Sequence, residues 1–195
     1  MSITAIPTLG TRVQWGYVVG DLQAALRHWT ETLRIGPFIL VEDVGAGCRF
    51  EFHGRPITPR IDAAFSYLGD TQIEIICPRD DTPSPYTEFL GAGREGLQHL
   101  GFWVDDHPSA CRQVEAGGMR PVFSVLLPGA VRPTTYYEAP SSLGTMIEVA
   151  EHTERKGTLY AAMAALARGW DGTRPVRPYA SMAAFAADAG VPGWG

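Results

Sequence analysis

Apolar residues follow two different periods along this 195-residue chain. Runs rich in β-branched and aromatic residues predict strands, and runs with apolar residues every three or four positions predict helices. Residues 13–19 are a predicted strand, and residues 22–33 are a predicted helix that Asp21 caps and that stops at Gly36-Pro37. The chain therefore opens with a strand followed by a helix.

The same order of elements occurs twice. In the first copy the helix precedes four predicted strands, at residues 38–42, 48–53, 63–68 and 71–77. A segment rich in proline, aspartate and glycine (residues 78–96) follows, with one short helix at residues 86–90. The second copy has a strand (97–104), a helix (109–116) and three strands (119–126, 134–138 and 145–150). The pattern predicts an α+β fold of two tandem modules, each a strand and a helix followed by several strands, at about residues 11–78 and 96–152 of a domain that covers residues 1–155.

The chain changes character in a C-terminal extension, residues 156–195. Apolar residues at helical spacing predict an amphipathic helix there: Leu159, Ala162, Met163, Leu166 and Trp170. A second, short helix is predicted at residues 183–189. We expect this helical extension to pack on the body or on a second subunit, and its role at the pocket is left open.

Polar residues recur at matched points of the two modules, inside strands that are otherwise apolar. The sequence of residues 14–21 (QWGYVVGD) is similar to that of residues 99–106 (HLGFWVDD). Residues 71–76 (TQIEII) are likewise similar to residues 145–150 (TMIEVA). Alternation along a strand separates these polar residues from the neighbouring isoleucines and valines. If the modules pair through a pseudo-twofold axis, four side chains meet at one place: Gln14, Glu74, His99 and Glu148.

Two carboxylates brought together in a strand core require neutralisation, because each costs several kcal/mol to bury. A divalent cation would cancel the charge of Glu74 and Glu148, and neutral Gln14 and His99 would complete four ligands. Each residue alone has an ordinary explanation, such as an exposed strand position, an ion pair with Arg60, or a core histidine. The equivalent placement in both modules favours a metal site with open positions for water or substrate.

Composition limits the class of protein. A hydrophobic fraction of 45% and a charged fraction of 19% predict a globular chain, and a net charge of −5 argues against a nucleic-acid partner. No apolar stretch approaches the roughly 20 residues that span a bilayer, and the N-terminus is unlike a secretion signal. Cys48, Cys77 and Cys111 form no CxxC pair. We therefore expect a cytoplasmic protein with a small-molecule partner and no membrane contact.

Three segments resemble the vicinal oxygen chelate superfamily, which includes glyoxalase I, methylmalonyl-CoA epimerase, extradiol dioxygenases, and the fosfomycin and bleomycin resistance proteins. They are QWGYVVGDL at residues 14–22, GLQHLGF at residues 96–102 and GTMIE at residues 144–148. The resemblance covers roughly residues 11–152. It implies two tandem βαβββ modules that form a curved mixed sheet around a central cavity, and a divalent metal held on the first and last strands of each module.

The order Gln14, Glu74, His99, Glu148 is similar to the metal-ligand set of glyoxalase I. The resemblance implies a metal that stabilises an enolate or oxyanion, with Glu148 as the catalytic base and Glu74 as its counterpart. The function expected is that of an isomerase, epimerase or lyase acting on a small α-hydroxy- or α-oxo-carbonyl substrate. Mixed nitrogen and oxygen ligands do not distinguish zinc, nickel, cobalt and manganese.

Departures from the family leave two alternatives open. Glyoxalase I has an arginine four residues after its glutamine, where this chain has Val18, so glutathione conjugates are doubtful substrates. Extradiol dioxygenases need two histidines and one glutamate, which makes a ring-cleaving dioxygenase the weaker alternative. The stronger alternative is a metal-free protein that binds a small molecule, as the resistance proteins do.

Candidate pocket residues follow from strand parity. Gln72, Trp103 and Met146 share the face of the metal ligands and are predicted to contact substrate. Further candidates lie on neighbouring strands: Arg49, His53, Tyr67, Tyr136 and Tyr137, of which His53 and Tyr137 are preferred. Members of this fold build their sites within one chain or between two, and we expect a homodimer.

Overall fold

The computed structural model describes residues 9–138 and 141–194, and all structural statements below concern these residues. Eleven strands form one sheet in this part of the chain. The strands are β1 (Thr11–Val18), β2 (Phe38–Val41), β3 (Arg49–Phe52), β4 (Arg55–Ile57), β5 (Ile61–Leu68), β6 (Thr71–Pro78), β7 (Gly96–Val104), β8 (Arg120–Leu126), β9 (Thr134–Glu138), β10 (Met146–Glu151) and β11 (Val176–Tyr179). The helices are α1 (Leu22–Arg27), α2 (Pro85–Gly91), α3 (His107–Ala116), α4 (Glu154–Arg168) and α5 (Met182–Asp188), and α1 continues as a π-helical turn (His28–Thr32).

The order of strands in the sheet is β11-β2-β5-β6-β1-β7-β10-β9-β8-β3-β4. The central pair, β1 and β7, is antiparallel, while β6 runs parallel to β1 and β10 runs parallel to β7. The strands of the first copy, β2-β5-β6-β1, are thus mirrored in order by the strands of the second, β7-β10-β9-β8. The predicted α+β architecture of two related sets of strands in a curved mixed sheet is confirmed.

The hairpin β3–β4 departs from the symmetry of the two halves. Its sequence lies between β2 and β5, yet β3 pairs with β8 at the far end of the sheet. Phe50 and Phe52 of this hairpin pack against Phe123 of β8, with ring centroids 6.0 and 6.4 Å apart. The sequence predicted the strand at residues 48–53, but its pairing partner depends on contacts between residues about 70 positions apart.

The sheet has an outer face covered by helices and an inner face that carries the polar residues. On the outer face, α1 packs on Ile73 and Ile75, and α3 packs on Ile147 and Val149. Each helix begins with an aspartate cap, because the side chain of Asp21 accepts a hydrogen bond from the amide of Ala24 and that of Asp106 from the amide of Ser109. The outer face therefore reproduces the predicted repeat closely.

The C-terminal extension covers the inner face of the first half. Leu159 and Met163 of α4, each 1% exposed, join a core cluster with Val41, Phe65 and Ile76. Strand β11, which the sequence pattern did not predict, pairs in parallel with β2 and extends the sheet. None of the helices in the described ranges is long and apolar enough to span a bilayer.

Candidate metal centre

Strand register brings the four predicted ligands onto adjacent positions of the inner face. In one row across the sheet, Glu74 on β6 and His99 on β7 both lie opposite Gly16 of β1. In the next row, Gln14 on β1 and Glu148 on β10 both lie opposite Gly101 of β7. Each row therefore holds two polar side chains on either side of a glycine, as expected for a twofold arrangement between β1 and β7.

Three of these residues form a compact buried cluster. The imidazole Nε2 of His99 lies 3.4 Å from a carboxylate oxygen of Glu74 and 3.4 Å from a carboxylate oxygen of Glu148. One ligand atom from each of the three residues falls within 4.8 Å of the others. The His99 side chain is fully buried, whereas those of Glu74 and Glu148 keep 14% and 11% exposure. The cluster is therefore enclosed on the imidazole side and retains limited contact with solvent on the carboxylate side.

Gly16 and Gly101 make this approach of side chains possible. A Cβ atom on Gly16 would lie 1.9 Å from Cε1 of the His99 ring, well inside van der Waals contact. A Cβ atom on Gly101 would lie 2.9 Å from Cβ and 3.0 Å from Oε1 of Gln14. The space that a side chain would fill at Gly16 is thus occupied by His99, and the space at Gly101 is occupied by Gln14.

The fourth predicted ligand, Gln14, offers its amide oxygen. The Gln14 Nε2 donates a 2.7 Å hydrogen bond to Oε1 of Gln72, which leaves Oε1 of Gln14 on the other side of the amide. This oxygen is buried and has no hydrogen-bond partner in residues 9–138 and 141–194. A buried amide oxygen without a partner costs free energy, and coordination of a cation would remove that cost.

The electrostatics of the cluster are dominated by burial. Burial raises the pKa of the Glu148 carboxyl above its ordinary value of 4.5, and the charge on Glu74 raises it further. The imidazole of His99 and the hydroxyl of Tyr136 act in the opposite direction. Tyr136 is fully buried, and its ring packs edge-on against His99 at 5.1 Å between centroids. Glu148 is therefore held where its proton affinity exceeds that of an exposed glutamate.

The donor set and its spacing fit a divalent cation. With bonds of about 2.0–2.2 Å, ligand atoms around a tetrahedral zinc ion lie roughly 3.3–3.6 Å apart, which includes the 3.4 Å between Nε2 of His99 and each carboxylate. Within the described part of the chain, Nε2 of His99 is buried and makes no hydrogen bond of acceptable geometry. An imidazole nitrogen that faces two carboxylates without a hydrogen bond to either is placed as expected for a metal ligand.

The residues predicted to contact substrate occupy two different environments. Gln72 is fully buried and donates a hydrogen bond to the Met163 sulfur of α4 at 3.4 Å. Trp103 packs against Tyr160 of α4, with ring centroids 4.8 Å apart. Both lie on the inner face, as parity predicts, but beneath the C-terminal extension. His53 and Met146, in contrast, line an open cavity of about 480 Å³.

The prediction for Tyr137 is wrong. Tyr137 is 1% exposed and lies on the outer face, where it packs against α3 and its hydroxyl donates a hydrogen bond to Glu115 at 3.2 Å. Its neighbour Tyr136 is the residue opposite Glu148 in the register of β9 and β10 and therefore faces the cluster. The parity of β9 cannot be read from its sequence, because Thr134–Glu138 has no clear alternation of apolar and polar residues.

The cavity lies at the end of β7 and β10, next to the cluster but not lined by its carboxylates. Its walls include residues of α2, of the β3–β4 turn and of the segment that precedes β10: Phe52, His53, Pro85, Phe89, Arg94, Gln98, Val122, Thr145 and Met146. Gln98 adjoins His99 in sequence, and Met146 lies opposite His99 in the register of β10 and β7. These two residues therefore form the boundary between the cavity and the metal-ligand cluster.

Sequence reasoning missed Gln98 and Arg94. In a regular strand Gln98 would face away from His99. A bulge in β7 changes its direction, since Gly16 pairs with His99 while the next residue, Tyr17, pairs with Leu97. Arg94 precedes β7 and lies over the ring of Phe89 at 4.4 Å, with a hydrogen bond to the carbonyl of Gly144. A bulge or a loop contact of this kind leaves no periodic signal in the sequence.

Comparison with known proteins agrees with this architecture. A hypothetical protein of Bacillus halodurans C-125 superposes with a TM-score of 0.54 at 21% identity, over 74% of this chain and 95% of the other. Methylmalonyl-CoA epimerase from Mycobacterium tuberculosis superposes with a TM-score of 0.54 at 19% identity, over 80% of this chain and 96% of the other. At such identities the likeness concerns the fold alone.

No curated protein sequence matches this chain. The family model of the glyoxalase/bleomycin resistance protein/dioxygenase superfamily, however, matches residues 13–136, from β1 into β9. This match extends over more than half of the sequence. The chain therefore belongs to the glyoxalase/bleomycin resistance protein/dioxygenase superfamily.

Proposed function

We propose that this protein is a metal-dependent isomerase, epimerase or lyase that acts on a small α-hydroxy- or α-oxo-carbonyl compound. The observation that supports it most directly is the buried cluster in which Nε2 of His99 lies 3.4 Å from carboxylate oxygens of both Glu74 and Glu148. The superfamily includes the epimerase whose fold the chain shares, and the proposed chemistry is of that general class.

Charge balance supports a cation at this place. Among the residues described, neither Glu74 nor Glu148 forms a salt bridge with lysine or arginine, and His99 can offset at most one of the two charges. Lys156 attracts Glu148, but its ammonium group donates to the carbonyl oxygen of Glu151 at 3.3 Å. A divalent cation would neutralise both carboxylates and would use the free Nε2 of His99 and the free Oε1 of Gln14.

Gln14, Glu74, His99 and Glu148 would hold the metal. When bound, it would polarise the carbonyl oxygen of the substrate and stabilise the negative charge that develops there. Because burial raises its pKa, Glu148 is a stronger base than an exposed glutamate and can take the proton from the carbon next to the carbonyl. Glu74, on the opposite side of His99 in the order of strands, can return a proton to the other face.

The cavity beside the cluster has a size that suits such a substrate. Its volume of about 480 Å³ falls in the range of small-molecule sites. Phe52 and Phe89 supply apolar walls, and Arg94 supplies a cationic group at the mouth. A substrate bound there would extend past Gln98 and Met146 to bring its carbonyl group to the carboxylates.

Metal analysis of the purified protein tests the proposal, combined with a proton-exchange assay. We expect one divalent metal per chain in the wild type, and loss of stoichiometric metal in His99→Ala and Glu74→Gln. In deuterium oxide, loss of the α-proton NMR signal of dihydroxyacetone or of similar α-hydroxyketones would report proton abstraction, and Glu148→Gln is expected to abolish it. Glu51→Gln, which changes an exposed glutamate of β3 outside the cavity lining, is the matched control and should retain metal and exchange.

A second candidate function has one observation in its favour. The cavity is lined by residues other than the two carboxylates, and α4 covers much of the inner face. A metal-free protein that binds an apolar or aromatic molecule in this cavity would have the same shape. Wild-type protein that remains metal-free after dialysis against zinc, nickel, cobalt and manganese, while fully folded, would refute the enzyme proposal and favour the binding protein.

A further inference from the structure

Gln98 connects the metal-ligand histidine to the wall of the cavity. It is 2% exposed, and it is the extra residue of the bulge in β7, so that its side chain reaches the imidazole of the next residue. Its Oε1 lies 2.9 Å from Nδ1 of His99, and its Nε2 donates a 2.9 Å hydrogen bond to the carbonyl oxygen of Pro85, the first residue of α2. The oxygen and the nitrogen of the Gln98 amide therefore each make one hydrogen bond.

The Pro85 carbonyl determines which way the Gln98 amide points. A carbonyl oxygen only accepts, so the NH₂ group of Gln98 must face Pro85 and the amide oxygen must face His99. An amide oxygen also only accepts, so Nδ1 of His99 must carry the proton in this hydrogen bond. In the neutral imidazole, Nε2 then keeps its lone pair, and this is the nitrogen that faces Glu74 and Glu148.

We propose that Gln98 is a positioning residue that holds His99 in the Nδ1–H tautomer and thereby presents the Nε2 lone pair to a divalent metal. This inference rests on the proposed function, because it assigns a partner to one of the proposed metal ligands. Without the Gln98 oxygen, Nδ1–H loses its acceptor, so the Nε2–H tautomer becomes populated as well. That tautomer cannot bind a metal through Nε2. Loss of such a partner typically lowers metal affinity by roughly 10–100-fold.

Two substitutions separate this role from a purely structural one. Gln98→Glu keeps an oxygen acceptor toward His99 but loses the NH₂ group that binds Pro85. Gln98→Met has a similar length and loses both the acceptor and the donor. If Gln98 acts on His99, the methionine variant should bind metal roughly 10–100-fold more weakly than the glutamate variant. If Gln98 only ties α2 to the sheet, the two variants should be impaired equally, and that result would overturn the proposal.

The measurement that does not depend on turnover is metal affinity, obtained by titrating the metal-free protein with cobalt and following its absorption bands. A second measurement needs no metal. The ¹⁵N chemical shifts of the His99 ring in metal-free protein at alkaline pH should show the Nδ1–H tautomer in the wild type and in Gln98→Glu. A shift toward the Nε2–H tautomer is expected in Gln98→Met. A wild type in the Nε2–H tautomer would overturn the proposal even if the variants fail to fold.

A control variant loosens α2 without touching the Gln98–His99 contact. Ser84 caps α2, and its Oγ accepts a 3.2 Å hydrogen bond from the amide of Thr87. Ser84→Ala should therefore lower thermal stability while leaving cobalt affinity within about 2-fold of the wild type. A loss of cobalt affinity of about 10-fold in Ser84→Ala would show that the position of α2, and not the contact between Gln98 and His99, controls metal binding. Wild-type protein that takes up no metal refutes the proposed function, whereas metal binding that is insensitive to Gln98→Met refutes only this inference.

Discussion

The two halves of the inner face carry equivalent residues but are covered differently. In the first half, Leu159 and Met163 of α4 fill the space over β5 and β6, and β11 lengthens the sheet. In the second half, the hairpin β3–β4 extends the sheet from β8 and leaves a cavity of about 480 Å³ beside β7 and β10. The candidate ligands lie at equivalent positions of the two halves. The position of the cavity, in contrast, depends on α4, β11 and the hairpin β3–β4, which have no counterpart in the other half. A duplicated fold thus places the candidate ligands symmetrically, while the cavity lies on one side of them.

The largest expected effect comes from adding a methyl group at the centre of the cluster. In Gly16→Ala the new Cβ would lie 1.9 Å from the His99 ring, so the imidazole has to leave its place. We expect loss of stoichiometric metal and a lower Tm, measured by elemental analysis and by thermal unfolding. Gly101→Ala, the equivalent change in the other half, would place its Cβ 2.9 Å from Cβ and 3.0 Å from Oε1 of Gln14, so it should shift this side chain and weaken metal affinity by roughly 10-fold. Equal loss in both variants would contradict the view that His99 is the less replaceable ligand.

An intermediate effect is expected from shortening side chains on the covered and open halves. Leu159→Ala removes a side chain that is 1% exposed and should destabilise the protein by about 2–5 kcal/mol. Met146→Ala removes a half-buried side chain that faces the cavity, and it should cost less, because part of the Met146 surface is already in contact with water. Urea unfolding of both variants measures the difference. Similar losses would mean that the cavity side is packed as tightly as the α4 side.

The smallest effect is expected at the two helix caps on the outer face, where the halves are most alike. Asp21→Ala and Asp106→Ala each remove one capping hydrogen bond, and each should lower Tm by about 2–4 °C. Hydrogen bonds from Ser109 lower the pKa of Asp106 below its ordinary value of 3.8. The stabilisation of the folded state by the Asp106 carboxylate is therefore complete above pH 3.8, the ordinary pKa of the group, and is lost as the pH falls through the lowered pKa. The Tm difference between wild type and Asp106→Ala should narrow in that acid range.

The elements of the outer face and the four ligand candidates were within reach of sequence reasoning. Alternation along β1, β6, β7 and β10 distinguishes the two faces, and Asp21 and Asp106 signal the helix starts. Predicted strand bounds deviate from the observed ones by about two residues at most. The element types, the caps and the faces have a common physical cause, because each depends on residues that are near one another in the chain. The approach of Glu74, His99 and Glu148 was inferred from the repeat instead.

The failures have a common cause as well. Tyr137 was preferred as a substrate contact but lies on the outer face, which β9 does not reveal because it carries no clear alternation. Gln98 was passed over, because a bulge reverses the parity of one residue. Strand β11 was not predicted, since residues 176–179 include a proline and pair only with an edge strand. Gln72 and Trp103 lie on the predicted face, but α4 covers them.

By itself, the sequence determined the periodicity of each element, the repeat, and hence which side chains share a face of the sheet. Only the tertiary structure decided which strands become neighbours, where the extension packs and which half remains open. The physical reason is that parity and capping are set by local backbone geometry, whereas the hairpin on β8 and α4 on β5 depend on apolar surfaces that meet after the chain has folded. His99, Glu74 and Glu148 are brought together by register, and Gln98 joins them through a single irregular step in one strand.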